Sequence, residues 1–434
     1  MVKNKANKKP SKIKKIFSKK RNVVIFVIVL VLLVGGGAAA LMLINKDGGI
    51  LDLSNDTSNK KENEERVVKY YDDLTGELVS YSGYQKNADG SEKKDSDGKS
   101  IYISETQAKE QADKNNLARI NCIQIPNGTD ARPQVGLSSA KIVYEAIAEG
   151  GITRFAALYR GSTDDVIGPI RSLRMYYLEW DIPYDCTIVH AGGVKAAVER
   201  AKSYAHLSES NTYMWRDYSG YYAPNNLFTS AELLDSFNRD NKYTDSRPKV
   251  FARLTPDESD AELKEIRTAS TDESDENAKK YAYANSIYVH VTAAANYNVN
   301  YTYDSATNTY LRAYEGNSGK HMSYTCKNTG KSENKIKPQK DCGAAKQVAP
   351  KVVVVMKVDE ALNQENLYRE EITTTGSGEA WVFQNGIAIE ATWSRDKAES
   401  GLVFKDKQTG DEVKLAPGQT WITAIAKSYG YVKY

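Results

Sequence analysis

Val23 to Ile44, "VVIFVIVLVLLVGGGAAALMLI", runs twenty-two residues without a charge, and no other feature limits the chain's folds so strongly. A helix of that length rises about 33 Å, enough for ~30 Å of hydrocarbon. The twenty-two residues before it hold nine lysines and Arg21 with no acid, a charge of +10. Positive flanks stay cytoplasmic. The sequence therefore predicts a basic cytoplasmic tail over 1–22, a single transmembrane helix over 23–44 and folded domains outside the cell. A cleaved signal peptide, processed near Ala38-Ala39-Ala40, is the competing reading; the length of the run favours an uncleaved anchor. No cysteine lies near the run, so lipid attachment is not available there.

The whole chain carries only +3, which leaves −7 for the residues after the tail. A mildly acidic body lacks the basic surface that nucleic acid demands, and no nucleic-acid partner is expected. Four cysteines, Cys122, Cys186, Cys326 and Cys342, match no zinc spacing. In an oxidising compartment they read as disulfides, and pairing within each half of the body is the natural connectivity. A Cys326–Cys342 bridge closes a polar loop for a gain of about 3 kcal/mol on the chain-entropy estimate.

Composition divides the rest. Residues 45–118 are polar and read as a flexible stalk, with a short helix around Ser104–Asn115 and a small hairpin in "YYDDLTGELVSYSG". Residues 119–254 alternate strand-like and helix-like signals, an α/β (α+β) domain with a mixed sheet. "CTIVH" reads as a buried strand; "RMYYLEWDIP", "VKAAVERAKSYA" and "TSAELLDSFNRDN" read as helices, the last capped by Thr229 or Ser230. A charged connecting segment over 255–280 leads to a smaller, mainly-β domain over 281–434. There Asn385-Gly386 sits between alternating runs, a strong hairpin signal.

"YEAIAEGGITRFAALY", Tyr144 to Tyr159, alternates around Gly150-Gly151 and predicts another hairpin. In regular register Arg154 stands opposite Ile147, diagonal to Glu145 and Glu149 and within reach of both. Glu145 and Glu149 are the candidate catalytic carboxylates. Four residues along a strand separate them by ~13 Å, too far for a glycosidase pair, which needs about 5–9.5 Å. An Arg154 clamped by both acids, ready for an anion, is the simpler reading.

Candidate ligand residues follow close by. "IGPIRSLRMYY" supplies Arg171 and Arg174 after a Gly168-Pro169 turn, with Ser172 a candidate N-cap. "VHAGGVKAAV" places His190 at a strand end before a helix. Trp381, Trp393 and Trp421 form either a sugar-stacking platform or core. There is no G-x-S-x-G, HExxH, C-x-x-C, phosphate-loop or dinucleotide pattern. No metal and no cofactor are expected.

"ARPQVGLSSAKIVYEAIAEGGITRFAALY", "IGPIRSLRMYY", "VHAGG" and "YYAPNNLFTS" follow in an order that resembles the YerB-like family of bacterial envelope proteins. "GSGEAWVFQNGIAIEATWSR" through "APGQTWI" is similar to that family's C-terminal domain. The resemblance implies an exported α/β domain joined to a smaller C-terminal domain and implies no reaction. It matches at Arg132, Gln134, Glu145, Glu149, Gly150, Gly151, Arg154, Gly168, Arg171, Arg174 and Asn226. The chain departs in its anchor, a helix where members commonly carry a lipidated cysteine, and in Asn225, where the family pattern has histidine.

The sequence-level expectation is a membrane-anchored extracellular binding or regulatory protein, more a binder than an enzyme. Arg154, Arg171, Arg174, Arg132, His190 and Asn226 would recognise an anionic cell-wall polymer or a wall-synthesis protein. The alternative is a wall-active hydrolase or transferase using Glu149 or Glu145 with Arg154.

Overall fold

The computed structural model describes residues 43–44, 50–51 and 67–434, apart from 162–163, 271–280, 317–318, 328, 333–334, 365 and 367. The expected membrane helix lies outside the described residues except at its end, where Leu43–Ile44 form a short strand antiparallel to Ile50–Leu51. Among the described residues no helix is long and apolar enough to cross a membrane. Arg66 to Tyr434 make one compact unit.

That unit opens with a hairpin, β1 (Lys69–Tyr71) and β2 (Leu78–Tyr81), and helix α1 (Glu105–Leu117). The first half of the body supplies β3 (Asn121–Pro126), β4 (Ile142–Glu149), β5 (Ile152–Tyr159), α2 (Met175–Asp181), β6 (Thr187–Val189), α3 (Lys195–Ala201), β7 (His206–Leu207) and α4 (Ala231–Asp240). Helix α5 (Pro256–Ser270) connects the halves. The second half adds β8 (Ala282–Tyr283), β9 (Ser286–His290), β10 (Val299–Asp304) and β11 (Thr309–Tyr314). It ends with β12 (Val352–Val358), β13 (Gly376–Gln384), β14 (Ile387–Arg395), β15 (Val403–Asp406), β16 (Thr420–Ala426) and β17 (Tyr431–Lys433).

The described part of the stalk is folded, contrary to expectation. Ser104 caps α1 reciprocally: its hydroxyl accepts from Gln107 N, and Gln107 Oε1 accepts from Ser104 N. Leu74, Ala108 and Ala112 turn inward, while Val67, Leu78, Tyr84, Tyr102 and Leu117 stay exposed. Asp73 pairs with Arg160 at the end of β5, and the Arg253 guanidinium donates to the Leu74 carbonyl. A polar segment with few apolar groups can still dock when charged anchors hold it.

One sheet runs through both halves, in the order β7-β6-β3-β5-β4-β16-β12-β13-β14-β8, with β15 on the free side of β14. The halves join where β4 and β16 pair in parallel, Thr423 opposite Glu145. Strands so placed are covered on both faces, which is why β12 reads "VVVVM" rather than alternating. Tyr176, Tyr177 and Trp180 of α2 pack on one face with Tyr144, Ala146, Val354 and Ile422. On the other face lie Leu234 and Phe237 of α4 against Phe155 and Trp421, and beyond them a second sheet, β11-β10-β9-β17. The two expected domains are therefore halves of one body. Both expected disulfides form, Cys122–Cys186 tying β3 to the start of β6 and Cys326–Cys342 closing the polar loop. Asn385 (φ 53°) and Gly386 (φ 81°) make the predicted turn between β13 and β14.

Asp181, at the end of α2, is fully buried, and among the described residues its side chain accepts from Gln124 alone, whose Nε2 lies 2.8 Å from Oδ2. Asp181 Oδ1 and Gln124 Oε1 have no partner among the described residues. Burial pushes the Asp181 carboxyl well above the usual carboxylate range. A proton on Oδ1 supplies the donor that Gln124 Oε1 lacks. The native state then holds a proton that the unfolded chain releases above about pH 4, so stability falls as pH rises through that point. Asp181→Asn supplies the same donor without a proton. Its midpoint in urea should equal that of the parent near pH 4 and exceed it increasingly toward pH 7, by at most about 1.4 kcal/mol per pH unit; parallel profiles would show an ionised Asp181.

Candidate functional site

The Gly150-Gly151 turn forms as predicted, with both residues at positive φ (57° and 75°), but the strands around it are not in regular register. Glu149 pairs with Ile152, whereas Thr153 already pairs with Ile147. Ala148 is the extra residue of a β-bulge. One extra residue moves every side chain beyond it to the other face. Glu149 consequently shares a face with Arg154, while Glu145, now opposite Phe155, points to the other side of the sheet. The double clamp on Arg154 does not form; among the described residues Glu149 alone pairs with it.

Glu145 is sealed in the seam between the halves. Arg312 of β11 binds it through Nη2, at 2.9 Å from Oε1 and 2.8 Å from Oε2, and neither side chain is exposed. Trp421 Nε1 (2.9 Å) and Thr153 Oγ1 (3.0 Å) donate to the remaining lone pairs. Burial opposes the Arg312 charge, yet Glu145 beside it holds its pKa above the usual value. Burial and Arg312 together push the His321 imidazole well below its ordinary pKa. Its neutral Nδ1 accepts from Arg312 Nη1 (2.5 Å), and Nε2 donates to Gln134 Oε1 (3.0 Å). Arg132 belongs to the same seam: it donates to the Asn127 carbonyl and lies 3.5 Å over the Tyr314 ring. Glu145 and Arg132 are thus structural. Trp421 is core and Trp393 is buried with Nε1 on the Lys357 carbonyl, while Trp381 is half-buried beneath Lys357 and Lys407, so the three share no platform.

Arg312 and His321 were not among the expected site residues, and Trp421 was read only as platform or core. A signal for Arg312 was present: in "TYLRAY" it occupies the inward register of Tyr310 and Tyr314, and a charge there needs a buried counter-charge.

The other face holds the cationic group. Arg154 Nη2 lies 3.2 Å from Glu149 Oε1, Arg174 donates to Oε2, and Arg154 Nη1 donates to the Ser172 carbonyl at 2.6 Å. Ser172 is not the helix cap; Arg174 occupies that position without a side-chain cap bond. Tyr176 and Tyr177 of α2 donate to the Ile147 and Ala146 carbonyls and fix the helix against the hairpin. Burial raises the Glu149 carboxyl, but Arg174 and Arg154 overcome it and hold the pKa below the usual range. Burial first, then Arg174, lowers Arg154 to about 10. Arg171 stands in electrostatic reach of Glu149, Arg174, Asp130 and Arg216, its pKa lowered mainly by burial. Two guanidiniums bond the Glu149 carboxylate, and a third, that of Arg171, stands within electrostatic reach of it. The Nε groups of Arg154, Arg171 and Arg174 have no partner among the described residues.

Backbone bonds bring the remaining candidates alongside. Arg171 O accepts from Ala191 N, next to His190, and Ile170 N donates to Leu227 O, next to Asn226. His190 Nδ1 lies 2.8 Å from the Gly192 carbonyl and donates to it, leaving Nε2 an acceptor in the neutral ring that burial favours. Arg216 donates to Asn226 Oδ1 (2.8 Å), and Asn225 Nδ2 donates to Asp130 Oδ2 (2.7 Å). Arg174 also lines a cleft of about 790 Å³ that includes Glu179 and Met175 of the first half and Arg369 and Glu370 of the second.

With this architecture in hand, comparisons place the chain among known proteins. The model for the N-terminal domain of a protein of unknown function (DUF3048) matches residues 106–244, and the model for its C-terminal domain matches residues 287–422. The chain belongs to this family. It is similar to "Putative lipoprotein YerB" of Bacillus subtilis (strain 168), 27% identical over 312 residues, covering 70% of this chain and 80% of that protein. In fold it is similar to the crystal structure of the YerB protein from Bacillus subtilis, with a TM-score of 0.54 at 22% identity, covering 73% of this chain and 94% of the other.

The sealed position of Glu145 has a measurable consequence. Glu145→Gln leaves Arg312 buried without its counter-charge and should cost about 3–5 kcal/mol, read as a lower urea midpoint. Pairing it with Arg312→Gln should recover a substantial part of that loss. Additive effects in the double-mutant cycle would contradict the ion pair.

Proposed function

We propose that this protein is anchored in the cytoplasmic membrane through residues 23–44 and works in the cell envelope as a binding protein, holding an anionic wall polymer at the Arg154–Arg171–Arg174 cluster. Two arginines bonded to the single Glu149 carboxylate and Arg171 within electrostatic reach of it, each with a buried N–H lacking a partner among the described residues, carry the reading. Guanidinium N–H groups in partly dry surroundings favour phosphate and carboxylate oxygens. The envelope location draws on the uncharged run behind its basic tail, on the two disulfides and on the relative named as a lipoprotein.

Catalysis by the two glutamates fits less well. Glu145 has no path to a substrate. Glu149, held as a carboxylate by two arginines, is a poor general acid near neutral pH.

Arg171 is the side chain to test, because it is the most accessible of the three and its fold contacts are backbone ones. With the full chain in detergent, Arg171→Gln should weaken binding of an anionic glycopolymer at least about tenfold, as loss of a charge-assisted hydrogen bond predicts, with an unchanged melting temperature. Affinity of the parent should also fall with added salt. Undiminished binding by a stable Arg171→Gln protein would contradict the assignment.

A further inference from the structure

Loop 217–226 carries two of the most exposed aromatic side chains among the described residues, Tyr218 at 73% and Tyr222 at 81%. The loop is nonetheless well fixed. Asp217 N donates to the Asn226 carbonyl (2.8 Å) at its base, and Asn225 N donates to the Tyr222 carbonyl (2.7 Å) in a turn. Between the two exposed rings, Tyr221 is buried against Phe228, with its hydroxyl donating to the Pro133 carbonyl at 2.7 Å. Tyr221 also packs with Cys326 and Ile336, and Gln339 donates to the Gly220 carbonyl at 3.2 Å. The Cys326–Cys342 loop thus braces this segment from the second half. Two aromatic faces displayed on a braced loop cost little entropy when a ligand stacks on them.

At the base of the loop the unpartnered polar atoms are of mixed kind. Arg216 and Asp130 fix the orientation of the two buried amides, so Asn226 presents Nδ2 and Asn225 presents Oδ1, neither with a partner among the described residues. Asp217 Oδ2 is a further buried acceptor without a partner there, and Arg171 Nε a further donor. A bare anion offers acceptors only and would leave Asn225 and Asp217 unsatisfied. A hydroxyl both donates and accepts, and the C–H face of a sugar ring stacks on tyrosine.

We infer that loop 217–226 is the sugar-contacting arm of the arginine site and that the ligand is a phosphorylated saccharide. This rests on the anion-binding reading above and specifies its ligand. Arg171 takes the phosphate, Asn225, Asn226 and Asp217 take hydroxyls, and Tyr218 and Tyr222 cover the ring.

Titration calorimetry on the full chain in detergent tests this with a hexose 1-phosphate, the free hexose and inorganic phosphate. The hexose 1-phosphate should bind at least tenfold more tightly than either of the others. Tyr218→Ala with Tyr222→Ala, both at the surface, should bring it down to the level of inorganic phosphate and leave phosphate binding unchanged. Arg171→Gln should remove both. Equal affinity for phosphate and hexose 1-phosphate, or a tyrosine variant without effect, would overturn the saccharide inference while leaving anion binding standing. Failure of every anion to bind would overturn the anion reading itself. Two further arms separate the sources of such a group: a soluble phosphodiester-linked glycan, and vesicles containing a lipid-linked sugar diphosphate. Tyrosine-dependent binding to either supports the inference and identifies the source; binding to neither counts against it.

Discussion

The Glu145–Arg312 pair is the constraint around which the molecule is arranged. Both charges are removed from water, and each is tolerable only because the other half of the chain delivers its partner. Glu145 sits on β4, beside the β16 strand whose Trp421 and Thr423 complete its coordination. Arg312 comes from the second sheet, and its remaining bonds go to Tyr301 and His321. The pair therefore fixes three elements at once: the hairpin of the first half, the central strand of the second, and the sheet stacked above them. Parallel pairing of β4 with β16 then makes the two halves a single sheet.

The arginine cluster depends on that arrangement at one remove. The bulge at Ala148 sends Glu145 to the seam and Glu149 to the opposite face, so one short hairpin serves both structure and site. The second half also closes over the hairpin tip, where Gly150 N donates to the Tyr368 carbonyl. From the same half, the Cys326–Cys342 loop braces the tyrosine-bearing loop. A site built largely from residues of the first half is in this way held in shape by the second.

Local chemistry was legible in the sequence. The Gly150-Gly151 and Asn385-Gly386 turns, a cap for α4 at Thr229 or Ser230 and the helices α1 to α4 follow from short-range rules, the cysteine pairing follows from two cysteines in each half, and all are present, with Ser230 as the cap. What stayed hidden has a common cause in long sequence separation or a one-residue irregularity. The pairing of β4 with β16 joins residues almost 280 positions apart, and no alternation within either strand announces it. The bulge inserts a single alanine that a regular hairpin template passes over, and this alone misassigned Glu145. The polar segment before Ala118 had the composition of a stalk; its docking rests on Asp73, on the Leu74 carbonyl and on the Leu74 side chain in the core, which composition does not weigh. For the candidate site, Arg154, Arg171 and Arg174 were readable from clustering, whereas Tyr218 and Tyr222 drew no notice because exposure is a property of the fold.

Hydrogen exchange of the full chain in increasing urea, followed peptide by peptide, tests the central claim most directly. If the Glu145–Arg312 seam makes one cooperative body, amides of β4 and β5 and those of β12 and β13 should lose protection together, with the same opening free energy and the same urea dependence. Retention of protection in β12 and β13 after β4 and β5 have opened would show two independent domains and contradict the account.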